Sequence, residues 1–261
     1  MTGSRNWAGR DAGEIVYEKH PIFVAPEDEN ERVWRYLDFT KFVWLLDRKT
    51  LYFTRSDKFN DTFEGSYSKF NIENRETIYK DAKMLLESIP KIAKENRKYV
   101  FINCWHLNRY ESTAMWNIYS KTNESIAIQS TFKRLKESFS SNSKKIYIGK
   151  VNYADYNADW IPEGNILYPF IYKRKSFEHE KELRAIYYEL PPPAEDGKVY
   201  LNQEALYDGV NVEIDIDKLI DAIYISPVAD EWFHDLIKSV VKKYNHNFNI
   251  RKSDLHSSPV Y

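Results

Sequence analysis

The sequence predicts an α+β fold, a single domain with a mixed, mostly antiparallel sheet flanked by helices, and three observations predict it. Strand-type alternation and helix-type i, i+3, i+4 apolar stripes both recur along the chain. They do so in irregular order, without the regular βαβ alternation of a doubly wound parallel sheet. A chain of 261 residues is also long enough to bury roughly three quarters of its unfolded surface, so it needs neither disulfides nor metal to hold together.

Residues 1–30 mix polar, Gly and Pro residues without periodicity and read as an N-terminal tail or extended arm, leaving 31–261 as the single domain. Val33 to Leu37 predicts a strand. Phe39, Phe42, Val43 and Leu46 then give the spacing of a buried helix face, with Asp38 or Thr40 as cap. Leu51 to Thr54 alternates as a second strand. Ile72 to Asn96 is rich in Glu and Lys, with Ile78, Ala82, Leu85 and Ile89 on one helical face and Pro90 as a break; a helical insertion near residues 72–98 follows. Tyr99 to Trp105 reads as a buried strand, Ser112 to Ser120 as a short helix and Ile126 to Ile128 as another strand. Thr131 caps a helix carrying Phe132, Leu135 and Phe139, and Ser138 to Lys145 is a polar loop. Further strands are expected at 146–153, 182–188, 210–216 and 222–226. Phe233, Leu236, Ile237, Val240 and Tyr244 form the clearest amphipathic stripe.

Composition excludes several function classes. Cys104 is the single cysteine, so there is no disulfide framework and no zinc site built on several thiolates, and a reducing compartment fits. With no apolar leader and no run of 18 apolar residues, the expected location is the cytoplasm and no membrane partner is expected. Thirty-eight Lys and Arg against 39 Asp and Glu give a net charge of −1, which argues against a nucleic-acid partner. No GxGxxG or Walker sequence occurs, disfavouring a Rossmann or P-loop nucleotide site. The 16% aromatic content suits both a core and a ring-lined pocket.

Five blocks carry a family resemblance: WRYLDFTKFVWLLDRKTLYFTRSDKFNDTFEGS, FINCWHLNRYESTAMWNIYS, ESIAIQSTFKRL, KRKSFEHEKELRAI, and ISPVADEWFHDLIKSVVKKY with RKSDLHSSPVY. In this order, over roughly residues 31–261, they resemble the bacterial proteins catalogued as domain of unknown function 2971. The resemblance implies no settled activity, only an association with phage defence or toxin-like roles. Thr62 stands where that family commonly has Pro, which bears on the rigidity of the turn.

Four stretches could carry chemistry. Arg35 lies between Trp34 and Tyr36 on the first strand, so alternation sends it to the face opposite both rings. There it either grips a phosphate or carboxylate or makes a structural ion pair with Glu64 or Glu182. Asn60, Asp61 and Glu64, ahead of Gly65, compose a turn tied by side-chain hydrogen bonds and read as structural support. Trp116 and Tyr119 lie three apart on a helix, either as core packing or as a stacking platform. The block Lys173, Arg174, Lys175, Ser176, Phe177, Glu178, His179, Glu180, Lys181, Glu182, Leu183, Arg184 crowds carboxylates beside bases, where pKa values separate. Read as extended, it projects Glu180, Glu182 and Arg184 from one side of a strand.

Three functions compete. Arg35 on a first strand, Gln129-Ser130-Thr131 ending a middle strand and Glu180-Lys181-Glu182 before a late one are similar in order to the Arg, Ser-Thr, Glu-x-Glu succession of arginine-type ADP-ribosyltransferases. That similarity implies NAD as substrate, Arg35 on a ribose or phosphate, Ser130 and Thr131 bracing the site, Tyr119 on nicotinamide, Glu182 stabilising the ribosyl cation and Glu180 orienting the acceptor. A metal-dependent phosphodiesterase or nuclease would use Asp61, Glu64, His106, His179 and Glu180 as ligands, with Lys173 to Lys175 on phosphate, although no histidine pair has a ligand spacing. A sensor or binding module without chemistry would use Arg35 and the basic block to hold a small anionic or nucleotide ligand or a protein partner.

Overall fold

In the computed structural model, which describes residues 17–120, 122–140, 143–205 and 207–256, the chain runs β1 (Arg32–Asp38), α1 (Phe39–Arg48), β2 (Thr50–Arg55), α2 (Lys69–Ile78), α3 (Lys83–Asn96), β3 (Val100–Leu107), α4 (Thr113–Tyr119), β4 (Ser125–Thr131), α5 (Phe132–Ser138), β5 (Ile146–Lys150), β6 (Asn152–Ala154), β7 (Tyr172–Arg174), β8 (Glu182–Tyr188), β9 (Gly209–Glu213), α6 (Ile216–Leu219), β10 (Ala222–Ile225), α7 (Glu231–Lys243) and β11 (Asn249–Lys252). The fold is α+β, as expected. Among the described residues nine strands form one sheet, in which β10 pairs in parallel with β11 and the other strands pair antiparallel, while β6 and β7 make a separate parallel pair.

The sheet forks at β3. One edge of β3 pairs along its length with β8, which in turn pairs with β5. The other edge is shared. β1 takes its far end through Val33↔Leu107 and Trp34↔His106, and β2 takes its near end through Thr54↔Ile102 and Arg55↔Phe101. Between them, Asn103 to Trp105 have no strand partner on that edge, and side chains fill the gap. Asn103 Nδ2 donates to the Tyr52 carbonyl at 2.8 Å, and Arg35 Nη1 donates to the Cys104 carbonyl at 2.8 Å. Backbone groups left without a ladder partner need such substitutes.

The main core lies on one face of the sheet. α1 delivers Phe42, Leu45 and Leu46, α5 delivers Phe132 and Leu135, and α7 delivers Phe233, Ile237 and Val241, against Val33, Ile126, Ile128 and Leu183. Asp38 caps α1 by accepting from Lys41 N at 2.9 Å, and Lys49 ends the helix in the left-handed conformation. The opposite face is divided. Val100, Ile102 and Ile186 pack under Ile22, Phe23 and Phe170, while Trp34, Tyr36 and Ala127 pack under Met115 and Trp116 of α4. Along β3 the residues sharing this face are Val100, Ile102, Cys104 and His106, so the side chains between the two apolar clusters are polar.

Several expectations are corrected. α2 and α3 are separate helices, so Ile78 and Leu85 do not share one helical face, and both are exposed, as suits a solvated insertion. Pro90 lies inside α3; it removes a single intrahelical donor on a solvated helix, where water can satisfy the freed carbonyl. The 146–153 segment splits into β5 and β6, and the 210–216 strand ends at Glu213 because Asp215 caps α6 through Lys218 N. Residues 1–16 of the predicted arm lie outside the described residues. Its remainder wraps β5: Phe23 stacks on Tyr147 with centroids 5.2 Å apart, and its backbone lies so close to Gly149 that a Cβ there would sit 2.8 Å away. No helix among the described residues is long and apolar enough to cross a membrane.

Candidate functional site

Five charges meet in the polar stretch of the second face. β8 presents Glu182 and Arg184 opposite His106 and Cys104 of β3. Arg184 is wholly buried, and all of its donors are used. Nη1 and Nη2 donate to the two oxygens of Glu64 at 2.6 and 2.7 Å, Nε and Nη2 donate to the two oxygens of Glu182 at 3.1 Å each, and Nη1 also reaches the Phe170 carbonyl at 2.5 Å. Lys173 Nζ, from β7, donates to Glu180 at 2.5 Å and to Glu182 at 3.3 Å, beneath the ring of Phe177. Two bidentate pairs on one guanidinium is the arrangement that a planar fork permits and an ammonium does not.

Electrostatics follow from this packing. Burial pushes the Glu182 carboxyl up, but Arg184 and Lys173 overcome it and hold the group at about 2. Burial depresses Lys173, and the charges of Glu182 and Glu180 more than reverse that, so its pKa is raised. The Cys104 thiol, which donates to Glu182, is pushed well up by burial and by that carboxylate. His106 is depressed, mainly by burial. Its Nδ1 lies 2.6 Å from the Glu180 carbonyl; a carbonyl only accepts, so Nδ1 carries the proton and the buried Nε2, without a partner, presents a lone pair.

The predicted basic and acidic block is not one extended strand. Lys175 to Glu180 form a 3-10 turn, Lys181 adopts φ 40°, and β8 begins only at Glu182. Glu180 therefore reaches the cluster from the turn, held by its carbonyl on His106, and not by strand alternation. Lys175, Ser176 and His179 are exposed on that turn. Arg174 bonds Asp61 at 2.7 Å and stacks over Phe63. The turn around Asp61 is tied by Asp61 accepting from Phe63 N at 3.0 Å, while Asn60 is exposed. The turn delivers Glu64 to the buried Arg184, a structural role of the kind expected for it.

Arg35 stands at the fork, with its guanidinium 5.9 Å from the centre of the Trp105 ring. Glu64 and Glu182, its expected partners in a structural ion pair, are both occupied by Arg184. Among the described residues its single hydrogen bond is to Cys104 O, and it meets no carboxylate. Tyr119, at the end of α4, connects the two parts: its hydroxyl lies in the field of Glu180, Cys104, Glu182 and Arg35, and burial raises it well above the ordinary phenol range. Its residue as a whole is exposed, whereas Trp116 is core, packed on Tyr36 with its Nε1 on Glu111. Tyr36 likewise spends its hydroxyl on Ser112 N.

No family model, no curated protein and no solved structure matches this chain.

The chemistry open to the site follows from its own geometry, and Ser130 and Thr131 are outside it. Ser130 pairs with Val33 on the main-core face and donates to the Leu219 carbonyl at 2.6 Å; Thr131 caps α5. Glu182 pairs with His106, which pairs with Trp34, on the opposite face. With side chains alternating at each residue, Ser130 and Glu182 enter separate environments. The five expected metal ligands do not gather either: Glu64 and Asp61 are engaged by arginines, and no group of three or more ligating residues occurs among the described residues. Sequence reasoning missed Trp105, Cys104 and Tyr153, whose hydroxyl accepts from Glu182 N at 2.8 Å. The alternation of β3 placed Cys104 with His106, but nothing in the sequence paired that face with β8.

Proposed function

We propose that the chain is a binding module for a small anionic ligand, received through a phosphate or carboxylate on Arg35 at the fork of the sheet, beside Tyr119. One contrast carries this reading. The buried arginines Arg55, Arg75 and Arg184 each meet carboxylates, of Asp57, Glu163, and Glu64 with Glu182. Arg35 meets none among the described residues, although burial draws its pKa down. A guanidinium stays charged near neutral pH, and one that is partly desolvated without a counter-charge is costly unless an anion completes it. The resemblance read from the sequence, which no family model supports, would set such a module in phage defence or a toxin-like role. The test is calorimetric titration with pyrophosphate, ADP-ribose and NAD. Saturable binding that Arg35→Ala abolishes and Arg35→Lys weakens is expected. Absence of binding by every probe, or undiminished binding by a folded Arg35→Ala, overturns the reading.

A second reading keeps NAD-consuming, ADP-ribosyltransferase-like chemistry, and Tyr119 favours it, since its hydroxyl is within electrostatic reach of both Arg35 and the two glutamates. Glu182 has both oxygens committed, so Glu180, with one oxygen on Lys173, is the carboxylate left to face a ligand. Release of nicotinamide from NAD that Glu180→Gln removes supports this chemistry. NAD that binds and stays intact argues for the module alone.

A further inference from the structure

A second recess lies apart from the fork, where the start of β3 and the end of β8 meet the segment 190–207. It is an open recess with a cavity volume of about 120 Å³, smaller than the roughly 300–1,000 Å³ of a drug-sized pocket, so it has room for a small ligand only. Its wall is largely aromatic and prolyl: Tyr99, Phe101 and Tyr207, with Pro191 and Pro192 from the facing segment. Phe101 is packed between Tyr187 and Tyr207, with centroid separations of 6.1 and 5.7 Å. The Tyr187 end of this stack already carries a cation, Lys144 Nζ, 4.5 Å from the ring centroid. Tyr207, at the other end, is 41% exposed and lines the recess.

The charges around this wall have one sign left over. Glu189 lines it and is held in place by the Tyr207 hydroxyl at 2.7 Å, and Glu204 lines it without an ion pair among the described residues. The one lining cation, Lys98, is already bonded to Glu95 at 2.6 Å. An anionic ligand would therefore meet two carboxylates. A small inorganic cation, strongly hydrated and in need of many oxygen ligands, gains little from rings and prolines. A weakly hydrated organic cation gains from both, because its apolar body buries against the wall and its charge is attracted by ring faces and by the carboxylates.

We infer that this recess is a binding site for a small organic ammonium, packed on Tyr207 and the prolines with its charge toward Glu189 and Glu204. The probe is choline, compared with its uncharged carbon isostere 3,3-dimethyl-1-butanol, titrated into the full chain by calorimetry. Choline is expected to bind saturably and about tenfold or more tighter than the isostere, since a cation on an aromatic face contributes at this level. Glu204→Gln, an exposed change that leaves the core untouched, and Tyr207→Leu should each weaken choline several-fold, with melting temperatures of the free variants confirming their fold. Arg35→Ala should leave choline binding intact, which separates this site from the fork. The inference is overturned if choline does not bind, if the isostere binds equally well, or if both folded variants bind choline like the parent chain.

Discussion

Glu182→Gln removes one charge from the centre of the buried cluster while nearly preserving volume. In the native protein both oxygens of Glu182 accept from Arg184 at 3.1 Å, and one also accepts from Lys173 at 3.3 Å. Burial opposes the ionised form, and Arg184 and Lys173 outweigh it, so the carboxyl sits at about 2 against 4.5 for a free glutamate. That difference corresponds to about 3 kcal/mol favouring the folded state when the group is ionised. A depressed folded pKa gives stability that is complete above the unfolded value and is lost as pH falls from about 4.5 through about 2. Urea unfolding near neutral pH should therefore show Glu182→Gln less stable by about 3 kcal/mol, with an unchanged m-value. The two proteins should converge as pH falls through that window. A loss below about 1 kcal/mol, the scale of an exposed pair, or a difference independent of pH, refutes the assignment of Glu182 as the ionised hub.

Gly65→Ala should destabilise by about 2 kcal/mol or more, read from the melting temperature, because φ is 71° and the new Cβ would lie 2.3 Å from the buried Phe170 ring; an unchanged melting temperature would show that the turn can relax. Cys104 should resist iodoacetamide in the native protein at mildly alkaline pH and react on unfolding in urea, since burial and Glu182 keep its thiol protonated; rapid native labelling would contradict that placement. Asp38→Ala should cost about 1 kcal/mol in chemical denaturation, because Asp38 caps α1 at Lys41 N and also bonds Thr40. A neutral effect would mean that Thr40 replaces it as the cap.

Local pattern made much of the fold legible. The apolar stripe of α7, the capped α1 and the strand 182–188 need only neighbouring residues to be recognised, since amphipathic periodicity and capping act over a few positions. β11 and β7 were not legible. β11 is four mostly polar residues whose strand character comes from its parallel partner β10, and β7 is three residues ahead of a 3-10 turn. Pairing of that kind depends on what lies alongside.

The candidate site divides in the same way. Alternation alone sent Arg35 away from Trp34 and Tyr36, and the crowding of Lys173, Glu180, Glu182 and Arg184 marked that block as electrostatically tense. The order of Arg35, Ser130 and Glu182 also suggested a shared site, and there the sequence misled, because order along a chain does not say which face of a sheet a residue enters. Register decides that: Ser130 opposite Val33 and Glu182 opposite His106 lie on opposite faces. The sequence by itself determined the α+β class, most helices and strands, and which stretch crowds opposite charges together, because each is settled within a few neighbouring positions. Tertiary structure alone decided that Glu64, far from Arg184 in the chain, neutralises it, and that β1 and β2 share one edge of β3. Among the described residues that fork leaves Arg35 with a backbone carbonyl and no acid, since long-range pairing, not local pattern, determines which charges are answered and which stay open.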